Sequence, residues 1–202
     1  MSRSRKVEPE AAVNAAMALF WTHGFAGLGT RQIEEETGIT RFTLQTTYGG
    51  KMKLYLTALD AYLDSFENSD LMNNVEGDLE SIATFFEMRG NSNAMPNIAS
   101  QGCFMLNSMI EFSSSDPEIN LRADRYFRML RQWFGSALER SRENGSLHLD
   151  LHIREMTEIL LSTALGLNTI IRAKGNHGAG EKMAVSIARM VRTWGPSEIL
   201  PT

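Results

Sequence analysis

Thr30-Arg31-Gln32-Ile33-Glu34-Glu35-Glu36-Thr37-Gly38-Ile39-Thr40-Arg41-Phe42-Thr43-Leu44-Gln45-Thr46-Thr47-Tyr48-Gly49-Gly50-Lys51 holds two short helical patterns with a break between them. Thr30 is a residue type that caps helix N-termini, and Ile33 gives the segment to Glu36 a buried face. Gly38 then stops it, because glycine takes the left-handed backbone at a helix C-terminus without steric cost. Thr40 caps again, and Arg41 to Tyr48 forms the second segment before Gly49-Gly50 ends it. Two short helices joined by Gly38-Ile39-Thr40 make a helix-turn-helix candidate. In the second, Leu44 packs inward, which leaves Arg41, Phe42, Thr43, Gln45 and Thr46 facing outward.

Upstream, Ala12, Val13, Ala16, Met17, Leu19 and Phe20 recur at helical spacing from Pro9, a good first-turn residue, to Gly24. Downstream, Leu54, Tyr55, Ala58, Leu59, Tyr62 and Phe66 mark a longer helix from Lys51. The pattern predicts further helices over Leu79 to Met88, Phe104 to Phe112, Ile119 to Arg142, Ile153 to Ala173 and Glu181 to Trp194, with breaks at Arg89 to Gly102 and Lys174 to Gly180. Leu147-His148-Leu149-Asp150-Leu151 alternates as a strand does but is too isolated to build a sheet. The expectation is an all-α chain, with a three-helix module over residues 1–56 and a helical domain over 57–202.

Hydrophobic residues make up 43% and charged residues 22% of the 202, which excludes wholesale disorder. No apolar run approaches the roughly 20 residues that span a bilayer, and the start carries no cleavable-signal pattern, so a cytoplasmic chain is expected. The formal charge of −4 argues against a nucleic-acid partner until it is divided along the chain. Residues 1–56 hold seven basic side chains (Arg3, Arg5, Lys6, Arg31, Arg41, Lys51, Lys53) against five acidic ones (Glu8, Glu10, Glu34, Glu35, Glu36), a net of +2 that leaves −6 for the remainder. A basic module on an acidic body suits an approach to phosphate. An enzyme is not expected, because no Gly-rich phosphate loop, nucleophile elbow or paired acid and base is present; no cofactor or metal is expected either.

The outward residues of the second short helix have the chemistry of base reading. Arg41 can contact guanine or phosphate, Gln45 can pair bidentately with adenine, and the Thr46 methyl or the Phe42 ring can touch a thymine methyl. Thr30, Arg31, Thr40, Thr43, Thr47, Tyr48 and Lys51 complete the candidate DNA-binding set, with Thr30, Thr47, Tyr48 and Lys51 better placed for phosphate, which sets register without reading sequence. The tail residues Arg3, Arg5 and Lys6 either reach an adjacent groove or serve no binding role.

From Val13 to Tyr62 the chain resembles the TetR family of bacterial repressors: Ala16, Leu19-Phe20, Gly24-Phe25, Thr30, Ile33, Thr37-Gly38-Ile39-Thr40, Thr43-Leu44, Tyr48-Gly49-Gly50-Lys51 and Leu54 all fall at the family's spacings. It departs from the pattern at Phe42, where relatives carry a small residue, and at Gln45 and Thr47, where aromatics are frequent. The resemblance implies a C-terminal effector cavity and a homodimer. Two stripes suit the dimer contact, Ile153, Met156, Leu160, Ala164 and Leu167 on one helix, and Ala184, Ile187, Ala188 and Val191 on the next; periodicity alone also permits packing inside one subunit, but the repressor reading needs a dimer and favours the interface. A dimer sets two recognition helices about 34 to 36 Å apart, one turn of DNA.

Candidate effector-binding residues come from the aromatic and methionine-rich middle: Phe85, Met88, Cys103, Phe104, Met109, Phe112, Phe127 and Trp133, the alternative being plain core. Cys103 is the chain's single cysteine and opens a predicted helix, where a thiol shifts towards thiolate. It resembles the Gly-Cys stretch of a TetR subgroup that includes electrophile- and oxidant-responsive repressors; otherwise it is a small buried hydrophobe. His148 and His152 are four apart without a third ligand, and His23 and His177 adjoin glycines in turns. The expected function is a homodimeric DNA-binding transcriptional regulator, a repressor released from a palindromic operator by a small molecule or by modification of Cys103. The alternative is a helical small-molecule-binding protein without specific DNA binding.

Overall fold

A computed structural model describes residues 8–74, 76–90, 99–175 and 178–196. Among these, nine α-helices and no strand are present: α1 (Pro9–His23), α2 (Thr30–Thr37), α3 (Arg41–Thr46), α4 (Lys51–Glu67), α5 (Leu79–Gly90), α6 (Phe104–Phe112), α7 (Pro117–Glu143), α8 (Ile153–Lys174) and α9 (Gly178–Arg192), with 3-10 turns at Ala99–Gln101 and Ser113–Ser115. The all-α expectation holds, and Leu147 to Leu151 is turn and irregular chain. No helix among the described residues is long and apolar enough to cross a membrane. The tail residues Arg3, Arg5 and Lys6, and His177, lie outside the described residues.

Helices α1 to α3 and the first turns of α4 enclose one apolar centre, with Phe20, Leu28, Ile33, Leu44, Leu54 and Leu59 almost wholly buried. The turn between α2 and α3 is held chemically as well as sterically. Gly38 takes the left-handed conformation (φ 72°) and donates to the Glu34 carbonyl over 3.0 Å. The buried Thr37 hydroxyl donates to the Ile33 carbonyl over 2.6 Å and accepts from the Ile39 N–H over 3.0 Å. Of the two expected caps, one forms. Thr40 caps α3, its hydroxyl accepting the Thr43 N–H over 3.1 Å, whereas α2 is preceded by Gly29 and Thr30 is already its first helical residue.

Helix α3 is also shorter than the sequence pattern: it ends at Thr46, and Tyr48 sits in the following turn. Gly49 and Gly50, at φ 75° and 103°, reverse the chain there, and the Gly50 N–H closes on the Leu44 carbonyl over 2.8 Å. A residue with a Cβ is strained at both values, so the helix is cut where the two glycines begin the turn.

The body is layered around α7, which starts from an Asp116 cap and Pro117 and packs on α8, α6, α4 and α5. Helix α9 lies along α5, close enough that Ala184 leaves no room for a side chain at Gly90. This arrangement settles the two stripes proposed for the dimer contact. Leu160, Ala164, Leu167, Ala184, Ile187, Ala188 and Val191 are buried within the single chain, and Ile153 and Met156 are half-buried. Their spacing served the intramolecular core, so that part of the interface expectation is corrected. Met88 is also corrected: at 54% exposed it faces outward from α5 and lines no interior space.

Candidate nucleic-acid interface

The surface carried by α3 is exposed and rests on a buried apolar anchor. Leu44 is 1% exposed and anchors the helix to Ile33 and the α1–α4 core, while Arg41, Phe42, Gln45, Thr46 and Thr47 are all exposed. Phe42 stands out at 77% exposed, since an aromatic ring held in water at the first turn of a helix loses the burial that normally favours it. Thr46 donates its hydroxyl to the Phe42 carbonyl over 2.9 Å, which occupies its proton. Thr43 is half-buried, its hydroxyl 3.0 Å from that of Thr40, so it braces the cap rather than facing outward freely. Gln45 folds towards the α3–α4 turn, where a Cβ on Gly50 would lie 3.7 Å from its amide oxygen.

The remaining predicted residues surround this helix with different degrees of freedom. Arg31 is 88% exposed but paired with Glu35 one turn along α2, over 2.8 Å. Thr30 and Tyr48 are half-buried, and Tyr48 packs on the core. Lys51 opens α4 with its ammonium 4.3 Å from the centre of the Phe25 ring. Burial lowers its pKa from the ordinary lysine value, partly offset by the Glu111 carboxylate nearby. The unpaired N–H groups at the start of α4 follow Gly50, which supplies no side-chain cap.

Contacts from the body reach directly into this module. The Glu111 carboxylate of α6 accepts the Phe25 N–H over 2.9 Å and the Ala26 N–H over 2.7 Å, gripping the turn between α1 and α2. Arg172 of α8 donates to the Thr22 carbonyl at the end of α1 over 3.2 Å and to Gln101. An aromatic cluster runs through the join: Tyr55 of α4 sits 4.9 Å from Phe20, 5.3 Å from Phe25 and 5.5 Å from Phe104, its hydroxyl 2.6 Å from that of Ser108. On the other side of α4, Arg122 of α7 forks onto Asp60 over 2.6 and 2.8 Å, and Arg125 reaches Asp64 and Glu67. Sequence periodicity located Tyr55 and missed Glu111, Arg172 and Arg122, whose partners are distant in sequence; the pairing of an acidic face on α4 with a basic stretch of α7 was the one signal available.

The predicted effector residues divide into separate groups. Phe85 and Trp133 meet at 5.5 Å between α5 and α7, with Phe134 and Phe86 behind them. Phe104 and Phe112 belong to the aromatic join with Tyr55 instead. Met109 and Phe127 are half-buried edges of the core. Trp133 also borders an open cavity of about 280 Å³ with Met72, Met129 and Arg140, and its indole donates to the Leu71 carbonyl over 2.8 Å.

Cys103 is 2% exposed and stands at the N-cap of α6. Its sulfur lies 3.3 Å from the Tyr62 hydroxyl of α4 and 3.4 Å from the Tyr126 hydroxyl of α7, and accepts the Leu106 N–H over 3.5 Å. Burial, and then the neighbouring cysteine, hold the pKa of both tyrosines well above the usual value, while the Arg89 guanidinium pulls the other way. His148 and His152 are exposed, and His23 is the exposed last residue of α1, inside the helix rather than in a turn. Among the described residues no three His, Cys, Asp or Glu side chains gather as a metal site would require.

Comparison with known proteins agrees with this geometry. Residues 12–58 match the model of bacterial regulatory proteins of the tetR family, and residues 79–187 match the tetracyclin repressor-like C-terminal domain. The chain is 28% identical over 176 residues to the HTH-type transcriptional regulator YezE of Bacillus subtilis, covering 85% of this chain and 90% of that one. It is 24% identical to the HTH-type transcriptional repressor ComR of Escherichia coli, covering 95% and 91%. A solved cysteine mutant of the TetR family regulator CifR, bound to 26-base-pair operator DNA, superposes with a TM-score of 0.73 at 19% identity over 96% of this chain and all of that one. With the helix-turn-helix and the helical body each matched by the corresponding family model, the chain belongs to the TetR family of bacterial regulatory proteins and is a DNA-binding transcriptional regulator.

Proposed function

We propose that this regulator is a homodimeric repressor whose α3 enters the major groove and whose body releases it in response to an effector. The observation that carries the reading is the exposed polar face of α3 on a buried Leu44 anchor. In this reading Arg41, Phe42, Gln45 and Thr46 meet base edges, while Thr30, Arg31, Thr40, Thr43, Thr47, Tyr48 and Lys51 fix the phosphates and the helix that faces them. The division at residue 56/57 is functional rather than a break in structure, because it falls inside α4. That helix transmits position: it starts at the α3 turn, is held at Asp60 by Arg122, and has its last turn held at Asp64 and Glu67 by Arg125.

The dimer contact is assigned to the faces of α8 and α9 left over by the core. On α8, Ile159, Ser162, Gly166, Thr169 and Ala173 are all exposed, uncharged and spaced three and four apart; on α9, Met183, Ser186 and Met190 follow the same rule. Nothing lies within 4 Å of where a Gly166 Cβ would be, so a partner helix has room to approach.

Release is assigned to the region around Cys103. A small molecule or an adduct there would displace Tyr62, which belongs to α4, and so tilt the helix that positions α3. The CifR structures were determined as cysteine mutants, which supports attention to this thiol. The test is enrichment of duplexes from a random library by the full chain, with and without N-ethylmaleimide, for wild type and Cys103→Ser. A motif lost on treatment and retained by Cys103→Ser is expected. A motif indifferent to treatment would move release to a noncovalent ligand, and no motif would remove the repressor reading.

A further inference from the structure

Between α1, α6 and α8 lies a cleft of about 270 Å³, at the small end of ligand sites, on the seam between the DNA-binding module and the body. We propose that it is a second effector site, for a small carboxylate with a flat apolar body. Only Phe104 of the predicted effector residues reaches it.

Three features of different kinds meet there. The Arg172 guanidinium is half-buried, and no carboxylate among the described residues is within ion-pair distance of it; its partners are the neutral oxygens of Thr22 and Gln101. A planar guanidinium fork matches a carboxylate in geometry and charge better than it matches either. Trp21 lines the same cleft at 6% exposed, and its indole N–H is the one buried side-chain nitrogen or oxygen among the described residues without a hydrogen-bond partner. An unpaired buried donor carries a desolvation cost, so an acceptor supplied by a ligand would be recovered as affinity. The floor is aromatic, from Phe20, Tyr55 and Phe104, and accepts a ring. Glu111 also lines the cleft, and its two carboxylate oxygens are taken up by the Phe25 and Ala26 N–H groups, which offset its charge.

A carboxylate held by Arg172 competes with the Thr22 carbonyl at the end of α1, so occupancy is linked to the placement of the module. Cys103 is not among the residues that line the cleft, and the binding test below needs neither a modified thiol nor DNA.

Isothermal titration of the full chain with benzoate tests it, with benzamide as the uncharged isostere. Benzoate is expected to bind saturably, with benzamide and the Arg172→Gln variant weaker by about tenfold or more, the size expected for loss of a charge-assisted pair. Ile110→Trp fills the mouth of the cleft from a position 63% exposed, where the fold tolerates substitution, and is expected to block benzoate while leaving Arg172 in place. Absence of saturable benzoate binding, equal binding of benzamide, or retention of binding in Ile110→Trp overturns the proposal.

Discussion

Thr40 and Phe42 separate stability from recognition within one turn of helix. Thr40 satisfies the Thr43 N–H and braces its hydroxyl, so Thr40→Ala should cost about 0.5–2 kcal/mol, measured as a lower denaturation midpoint. Phe42 touches water over most of its surface, so Phe42→Ala should change stability by no more than about 0.5 kcal/mol yet weaken operator binding in a titration. Cys103 makes the opposite point. Buried at 2% exposure beneath two tyrosine hydroxyls, it should react with a bulky disulfide reagent far more slowly in the folded chain than in denaturant, with Tyr62→Phe accelerating labelling. The sequence placed the cysteine at a helix start because Gly102 and the apolar run after it say so; its tyrosine partners, 41 and 23 residues away, leave no trace in local spacing.

At the scale of elements, α4 is the part that joins the Cys103 region to α3, since it carries Tyr62 and begins at the α3 turn. It is clamped at its start by the Gly50–Leu44 turn and along its length by Arg122 and Arg125 from α7. Arg122→Ala removes a bidentate contact from a side chain 14% exposed and leaves Asp60 without its fork. It should lower stability by about 1–2 kcal/mol and alter operator affinity without touching α3, read by denaturation and titration on the same samples. Helices α1, α2, α4 and α6 were legible because each keeps one apolar stripe between glycine or proline breaks. The dimer stripes were misread for a physical reason: a periodic apolar face states that something covers it, not whether the cover is α5, α7 or a second chain.

For the whole molecule, the claim is a two-fold assembly in which each chain presents one α3. Gly166→Arg tests it with little risk to the fold, since the position opens to empty space in the single chain and arginine is the better helix former. Sedimentation should find the variant monomeric, and its preference for a palindrome should be lost with dimerisation. Selecting duplexes from a random library with wild type and Gln45→Ala side by side bears most directly on the account. The expected result is a palindrome with half-sites about one helical turn apart for the wild type, and a symmetric pair of positions relaxed in the variant. A motif without symmetry, or the same motif from both proteins, would contradict it.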